Sequence, residues 1–314
     1  MKGCQRIPLA CLGVLVVLLT IGVTPALAQL SGHNLRSDFG LQSGSQPAPG
    51  VYLLVPFVRY DTDTIKDRSG NALNLPGDLG VNALFPTAYV VTDWKLFGAN
   101  YGFVVAPPFV NTRFESPSFD QETGMSFSDI YVVPLNLGWH TPKADVTVGY
   151  GFFAPTGRFQ AGADDNRGLG MWSHEISAGF TAFFDEQKNW HAATTLFYEI
   201  HTDKEDTDVR VGDLVTLEGG FGRSFIQGAA SVGLSYAAQW KASEDTLGPL
   251  PGLLLTGKNR AFALGPEVTM PFFATGPWAG LLTVRYHWEF GARSSFQGQT
   301  FFAGVTLARI GWSG

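Results

Sequence analysis

The six histidines are His33, His140, His174, His191, His201 and His287. None has the H-E-x-x-H spacing that sets two imidazoles on one helix face around zinc. Ser173 and His174 are adjacent. A nucleophilic pair needs the hydroxyl within reach of the imidazole, but neighbours on a strand point to opposite faces. Asp61, Asp63, Asp67 and Gly70 supply the residue types of a calcium loop without its spacing or closing glutamate. The acidic run at 202–208 reads as a solvated loop, or as a divalent-cation contact with lipopolysaccharide. Cys4 and Cys11 are the only thiols, both within the first 28 residues. Catalytic residues, metal ligands and cofactors are therefore not expected. What remains is a set of charges and imidazoles at even spacing: Glu199 with His201, and Arg285 with His287 and Glu289.

A spacing of two belongs to one face of a strand, and the composition agrees with strands. Hydrophobic residues make up 45% of the 314, aromatics 13% and charged residues only 15%, against about 25% charged in soluble domains. That much apolar surface excludes a disordered chain. A net charge of −6 with no basic cluster argues against nucleic-acid binding. The 38 Gly and 18 Pro disfavour a helical bundle.

Residues 1–28 read as a secretory signal peptide. Lys2 and Arg6 form the positive start, an uncharged apolar run follows from Ile7 to Val23, and Ala26-Leu27-Ala28 supplies the small-x-small cleavage site. Cleavage removes both cysteines, which excludes a disulfide framework. It also removes two basic residues and no acid, so 21 basic residues become 19 against 27 acids, a balance of −8. No later apolar run approaches the roughly 18 residues of a membrane helix.

After the signal the hydrophobic period is two. Trp190, Ala192, Thr194, Leu196, Tyr198 and Ile200 alternate with His191, Ala193, Thr195, Phe197, Glu199 and His201. Similar splits recur over 230–241 and 281–290. The segments run about 10–14 residues, longer than the usual 5–6 of soluble strands and long enough for a tilted membrane strand. Aromatics near segment ends, such as Tyr131, Trp139, Trp190, Tyr236, Trp240 and Trp288, suit interfacial girdles. The expected fold is all-β: a transmembrane antiparallel barrel of about twelve strands filling residues 50–314. The strands fall near 50–62, 82–95, 99–113, 125–139, 144–155, 172–184, 190–201, 212–225, 228–241, 259–270, 279–291 and 298–310. Short connections alternate with long ones, which places the N-terminus in the periplasm and the long loops outside the cell of a Gram-negative bacterium.

With the apolar sets facing lipid, the opposite sets line the lumen. The lining candidates are Arg59, Glu175, Glu199, His201, Glu218, Glu267, Arg285, His287 and Glu289, with Phe153, Phe183 and Phe197. Asp93, Lys95, His191, Lys241 and Phe302 share those faces. The charges are expected to pair across the interior, because a buried charge needs a partner, or to select a polar head group. Residues 29–49 read as a periplasmic leader or as a plug folded into the barrel. Pro56, Pro107-Pro108, Pro134 and Pro266 remove ladder donors within strands. Pro107-Pro108 is the candidate for a lateral gap, or for a β-bulge.

Several motifs carry a family resemblance. They are Gln46-Pro47-Ala48-Pro49-Gly50-Val51-Tyr52 with Tyr60 and Asp67-Arg68-Ser69-Gly70, then Leu137-Gly138-Trp139-His140, then Val148-Gly149-Tyr150-Gly151-Phe152-Phe153-Ala154-Pro155-Thr156-Gly157-Arg158-Phe159. Asn166-Arg167-Gly168-Leu169-Gly170-Met171-Trp172 follows, before Glu175 and Gly179, and Gly233-Leu234-Ser235-Tyr236 with Gln239 closes the set. With these the chain resembles the exported "MetA-pathway of phenol degradation" family, the SphA-like transporters. The resemblance implies an outer-membrane barrel related to FadL-type transporters, passing hydrophobic or aromatic compounds. FadL-type barrels carry an N-terminal hatch and a kinked strand that releases cargo sideways. Outer-membrane barrels usually end on an aromatic residue read by the insertion machinery; here Trp312 is followed by two more residues.

The expected function is passive uptake of small hydrophobic or aromatic compounds through the outer membrane, with no enzymatic step. Expected partners are outer-membrane lipids, lipopolysaccharide, the solute and the barrel-insertion machinery. A structural or adhesive barrel and a lipid-acting outer-membrane enzyme are the alternatives.

Overall fold

The computed structural model describes residues 30–73, 77–117, 119–163, 165–246 and 258–311. The expected signal peptide and Trp312 lie outside the described residues. Twelve wall strands run antiparallel in chain order. They are β1 (Gly50–Thr62), β2 (Asp78–Leu84 and Thr87–Leu96), β3 (Ala99–Ala106 and Phe109–Ser116), β4 (Phe119–Glu122, Ser126–Phe127 and Ile130–His140), β5 (Ala144–Ala154) and β6 (Ser173–Phe183). The rest are β7 (Trp190–His201), β8 (Leu214–Phe225), β9 (Ala230–Lys241), β10 (Arg260–Thr275), β11 (Trp278–Arg293) and β12 (Gln299–Ile310). Each pairs with its sequence neighbour, and β1 pairs with β12 from Gly50↔Ile310 to Asp61↔Gln299, so the sheet closes. Below the level at which β2, β3 and β4 break, closure leaves no open edge, the condition for strands to cross a bilayer.

The burial pattern inverts that of a soluble domain. On β7, Trp190, Leu196 and Ile200 are each 42% exposed, while Glu199 and His191 are wholly buried. A cationic side chain facing lipid at the midplane costs about 2–4 kcal/mol, which accounts for the low charge of the outward faces. Trp94, Phe97, Phe184, Trp190, Phe221 and Trp278 ring the short-turn end on the outside, the end expected to be periplasmic, and Trp172, Trp240, Trp288 and Phe290 the other.

The periplasmic turns are tight. At β2–β3, Phe97 and Gly98 have φ of 52° and 81°, the positive values that a two-residue hairpin turn demands. The turn expected over 271–278 contracts to residues 276–277, because β10 and β11 extend to Thr275 and from Trp278. A bulge between Pro271 and Phe273 absorbs the missing proline donor.

Three adjacent strands break at one level of the wall. β2 is interrupted at Phe85-Pro86, β3 at Pro107-Pro108 and β4 at Ser128-Asp129. Register is kept across the first two breaks, Leu54↔Thr87 and Phe57↔Leu84 on one side, Ala88↔Val105 and Leu84↔Phe109 on the other. The prolines therefore remove ladder bonds without shifting the strands. Above its break, β4 pairs with β3 and, among the described residues, not with β5. Side chains bridge that seam instead: Thr156 Oγ1 donates to Ser128 O, Ser128 Oγ donates to Arg167 O, and Arg167 contacts Ser126.

Candidate functional site

Residues 30–49 run through the barrel interior, and the inward-facing charges are spent on them. Glu199 accepts the backbone N–H of His33 at 2.7 Å and of Asn34 at 3.1 Å. Glu218 accepts those of Ser37 and Phe39 at 2.5 and 2.6 Å. Glu267 accepts that of Leu41 at 3.2 Å. Glu175 takes the Asn34 amide at 2.7 Å and the Tyr131 hydroxyl at 2.5 Å. Glu289 takes Arg36 Nε at 2.5 Å and the Tyr60 hydroxyl at 2.9 Å. Arg285 donates to Ser37 O at 2.6 Å, and His287 Nδ1 lies 2.6 Å from Ser37 Oγ. Charge-assisted bonds of this kind are worth roughly twice neutral ones, and those from Glu199, Glu218, Glu267 and Arg285 satisfy backbone groups that the lumen would otherwise leave unpaired.

Packing reinforces these bonds. Leu41 is 1% exposed, seated against Gly220, Gly222 and Gly233 of β8 and β9. A Cβ at those glycines would meet the Leu41 methyls at 2.8–3.1 Å, so the wall reaches the segment only because it has no side chain there. Phe39 packs on Phe197 with ring centres 4.8 Å apart. Phe153 stacks between His33 at 4.6 Å and Tyr131 at 4.3 Å.

The lining candidates fall as follows. Glu175, Glu199, His201, Glu218, Glu267, Arg285, His287, Glu289 and Phe197 are all buried inside. Phe153 faces inward, half-buried. Phe183 is half-buried at the periplasmic end, with the Lys188 ammonium 4.4 Å from its ring centre. Arg59 is a correction: it points outward and pairs with Asp61 at 2.7 Å. Its strand buries Tyr52 and Val58 and turns Tyr60 to Glu289, so odd positions there face out. Asp93 and Lys95 are likewise exposed, at the periplasmic end of β2. Tyr131, read as a girdle aromatic, instead faces the interior. The expected charge ladder reduces, among these candidates, to Arg285 and Glu267, 2.7 Å apart across β10 and β11. Lys241 donates to Leu30 O at 2.8 Å and pairs with Asp245 at 2.5 Å.

Above residues 30–36 opens a cavity of about 420 Å³. Its walls are largely apolar: Val58, Val81, Ala83, Phe85, Val110, Phe114 and Phe153. Pro108 and Asp129, both at the strand breaks, also border it. The cavity thus lies against the discontinuous part of the wall. Lys204 reaches from the β7–β8 loop to donate to Leu169 O at 2.7 Å beside the cavity. Burial pushes its ammonium down to about 8.

His174, on the outer face, bonds the Tyr150 hydroxyl at 2.8 Å. Ser173 points inward to His33 Nδ1 at 2.7 Å, and His33 Nε2 meets Asp129 at 2.9 Å. Those are the residue types of a hydrolytic triad, but Ser173 is wholly buried and also bonded by His201 at 2.7 Å.

A closed twelve-stranded antiparallel barrel with an apolar exterior and a charged interior is an outer-membrane β-barrel of the Gram-negative type. The family model described as "Putative MetA-pathway of phenol degradation" matches residues 62–304, and the chain belongs to that family. An outer membrane channel from Pseudomonas putida F1 is similar in fold, with a TM-score of 0.67 at 14% identity over 85% of this chain and 97% of that one. The transport unit of the autotransporter AIDA-I from Escherichia coli gives a TM-score of 0.50 at 9% identity over 93% of this chain and 98% of that one. No curated protein matches the sequence.

Proposed function

We propose that the protein is an outer-membrane channel for passive uptake of small hydrophobic or aromatic compounds. The observation that carries this reading is the apolar cavity, floored by residues 30–36 and bordered by the broken wall. Family membership and the fold shared with an outer membrane channel support it. Residues 30–49 act as a plug, held by the acids of β6–β11, that closes the axial route. A solute enters among the extracellular loops, rests against Val81, Val110 and Phe114, and leaves beside Pro108 into the bilayer. Movement follows the solute's own gradient and involves no covalent chemistry. The exterior is solvated by outer-membrane lipid, the loops meet lipopolysaccharide, and the last strand is read by the insertion machinery.

The test is uptake of labelled monoaromatic and long-chain aliphatic compounds by a deletion strain against the same strain complemented with the gene. Faster uptake of at least one hydrophobic class in the complemented strain is expected. Equal uptake of every compound would favour a structural or adhesive barrel.

A further inference from the structure

Where residues 30–34 meet β6 and β7, nitrogen and oxygen donors converge. His33, Glu199 and His201 each bring a ligating atom within 4.8 Å of the others, the only such group of three among the described residues. His33 Nδ1 and His201 Nδ1 stand 3.6 and 3.5 Å from Glu199 Oε1. Ligands about 2.0–2.1 Å from a tetrahedral zinc ion lie about 3.3 Å from one another. These separations are therefore close to those of a filled site. Ser173 Oγ, at the hydrogen-bond distance of 2.7 Å from each Nδ1, stands beside the three as a further oxygen donor.

The surroundings hold these donors in place. His33 Nε2 lies 2.9 Å from Asp129 Oδ2, and its ring stacks on Phe153. A carboxylate on the far nitrogen is the partner that metal-ligating histidines keep, because it fixes the ring and raises its basicity. Asp129 in turn accepts the N–H of Gly157 at 2.9 Å and of Leu169 at 2.6 Å. His201 Nε2 is buried and unpartnered, so Ser173 is the hydrogen-bond anchor of that ring. A Cβ on Gly32 would come within 2.9 Å of Glu199 Oε2 and 3.1 Å of His201 Cε1. Glycine there lets the backbone lie against both side chains. The cavity borders Gly32, His33 and Asp129, which gives an ion a way in.

Two imidazoles and one carboxylate suit a borderline divalent cation such as zinc. Calcium and magnesium call for all-oxygen sites of six or more ligands, and copper(I) for sulfur. We propose that His33, Glu199 and His201 bind one zinc-class divalent ion, with Ser173 Oγ or water as the fourth ligand. The ion would join the N-terminal segment to β7. This assignment concerns ion binding and stands apart from the identity of the solute.

The test uses the mature chain without a polyhistidine tag, folded in detergent and stripped with a chelator. Zinc is titrated by calorimetry and cobalt(II) by visible absorption. One zinc per barrel is expected, with the cobalt bands of a four-coordinate site. His33→Ala and His201→Ala should each weaken binding by at least about 100-fold, and Asp129→Asn by about 10–100-fold. His140→Ala, outside the cluster, should leave binding unchanged. Heat-modifiable gel migration checks that each variant is folded. A folded wild-type barrel that takes up no zinc above the detergent blank overturns the proposal. So does one equivalent bound equally by the wild type and both histidine variants.

Discussion

Glu218 shows how single residues hold the N-terminal segment inside the barrel. One carboxylate takes two backbone N–H groups, those of Ser37 and Phe39, some 180 residues away in sequence. In Glu218→Ala both donors lose their acceptor, at about 1–3 kcal/mol each, so the segment is held less tightly. Planar-bilayer conductance should rise toward that of a chain lacking residues 30–45, whereas Glu205→Ala in an exposed loop should match the wild type. If the deletion itself leaves conductance unchanged, the plug reading fails. At this scale the sequence disclosed which side chains face inward, because strand parity alone decides it. Arg59 was misread for want of that parity: its neighbours Val58 and Tyr60 face in. The partners were not legible. The acids bind residues 30–49 rather than one another, and nothing in an alternating pattern encodes a contact across that much chain. In the sequence His33 is one residue of a leader or plug; in the structure it lies against Asp129, Ser173 and Phe153.

Among the elements, alternation and turn spacing recovered all twelve wall strands, most ends within two residues and the worst, the start of β4 at Phe119 against an expected 125, six residues off, since a membrane strand displays its two environments at every second position. The breaks were only partly visible. Pro107-Pro108 was marked as a gap or a bulge, while the stretch read as a strand over 82–95 crosses the interruption at Phe85-Pro86. The break at Ser128-Asp129 contains no proline. Asp129 is instead drawn to the N–H groups of Gly157 and Leu169, a tertiary cause that has no local signature. If this band is the lateral exit, restoring donors in Pro107→Val/Pro108→Val should slow hydrophobic uptake severalfold and leave small-ion conductance unchanged. Unchanged uptake would place the exit elsewhere.

The whole molecule is a wall of lipid-facing apolar residues around an interior through which its own N-terminal segment runs, with an apolar cavity beside the broken strands. The low charge content has its origin there: the lipid-facing positions must do without ions, and the ions that remain are used inside, in the loops, or in outward pairs near strand ends such as Arg59 with Asp61. In the function proposed, this cavity carries the hydrophobic solute. Ala83 is 1% exposed and lines it. The most direct measurement is uptake of a labelled monoaromatic compound by the deletion strain complemented with wild type or with Ala83→Trp, at equal levels of heat-modifiable barrel. The indole is expected to fill the cavity and return uptake to the level of the deletion strain. Wild-type uptake through a folded Ala83→Trp barrel would contradict it.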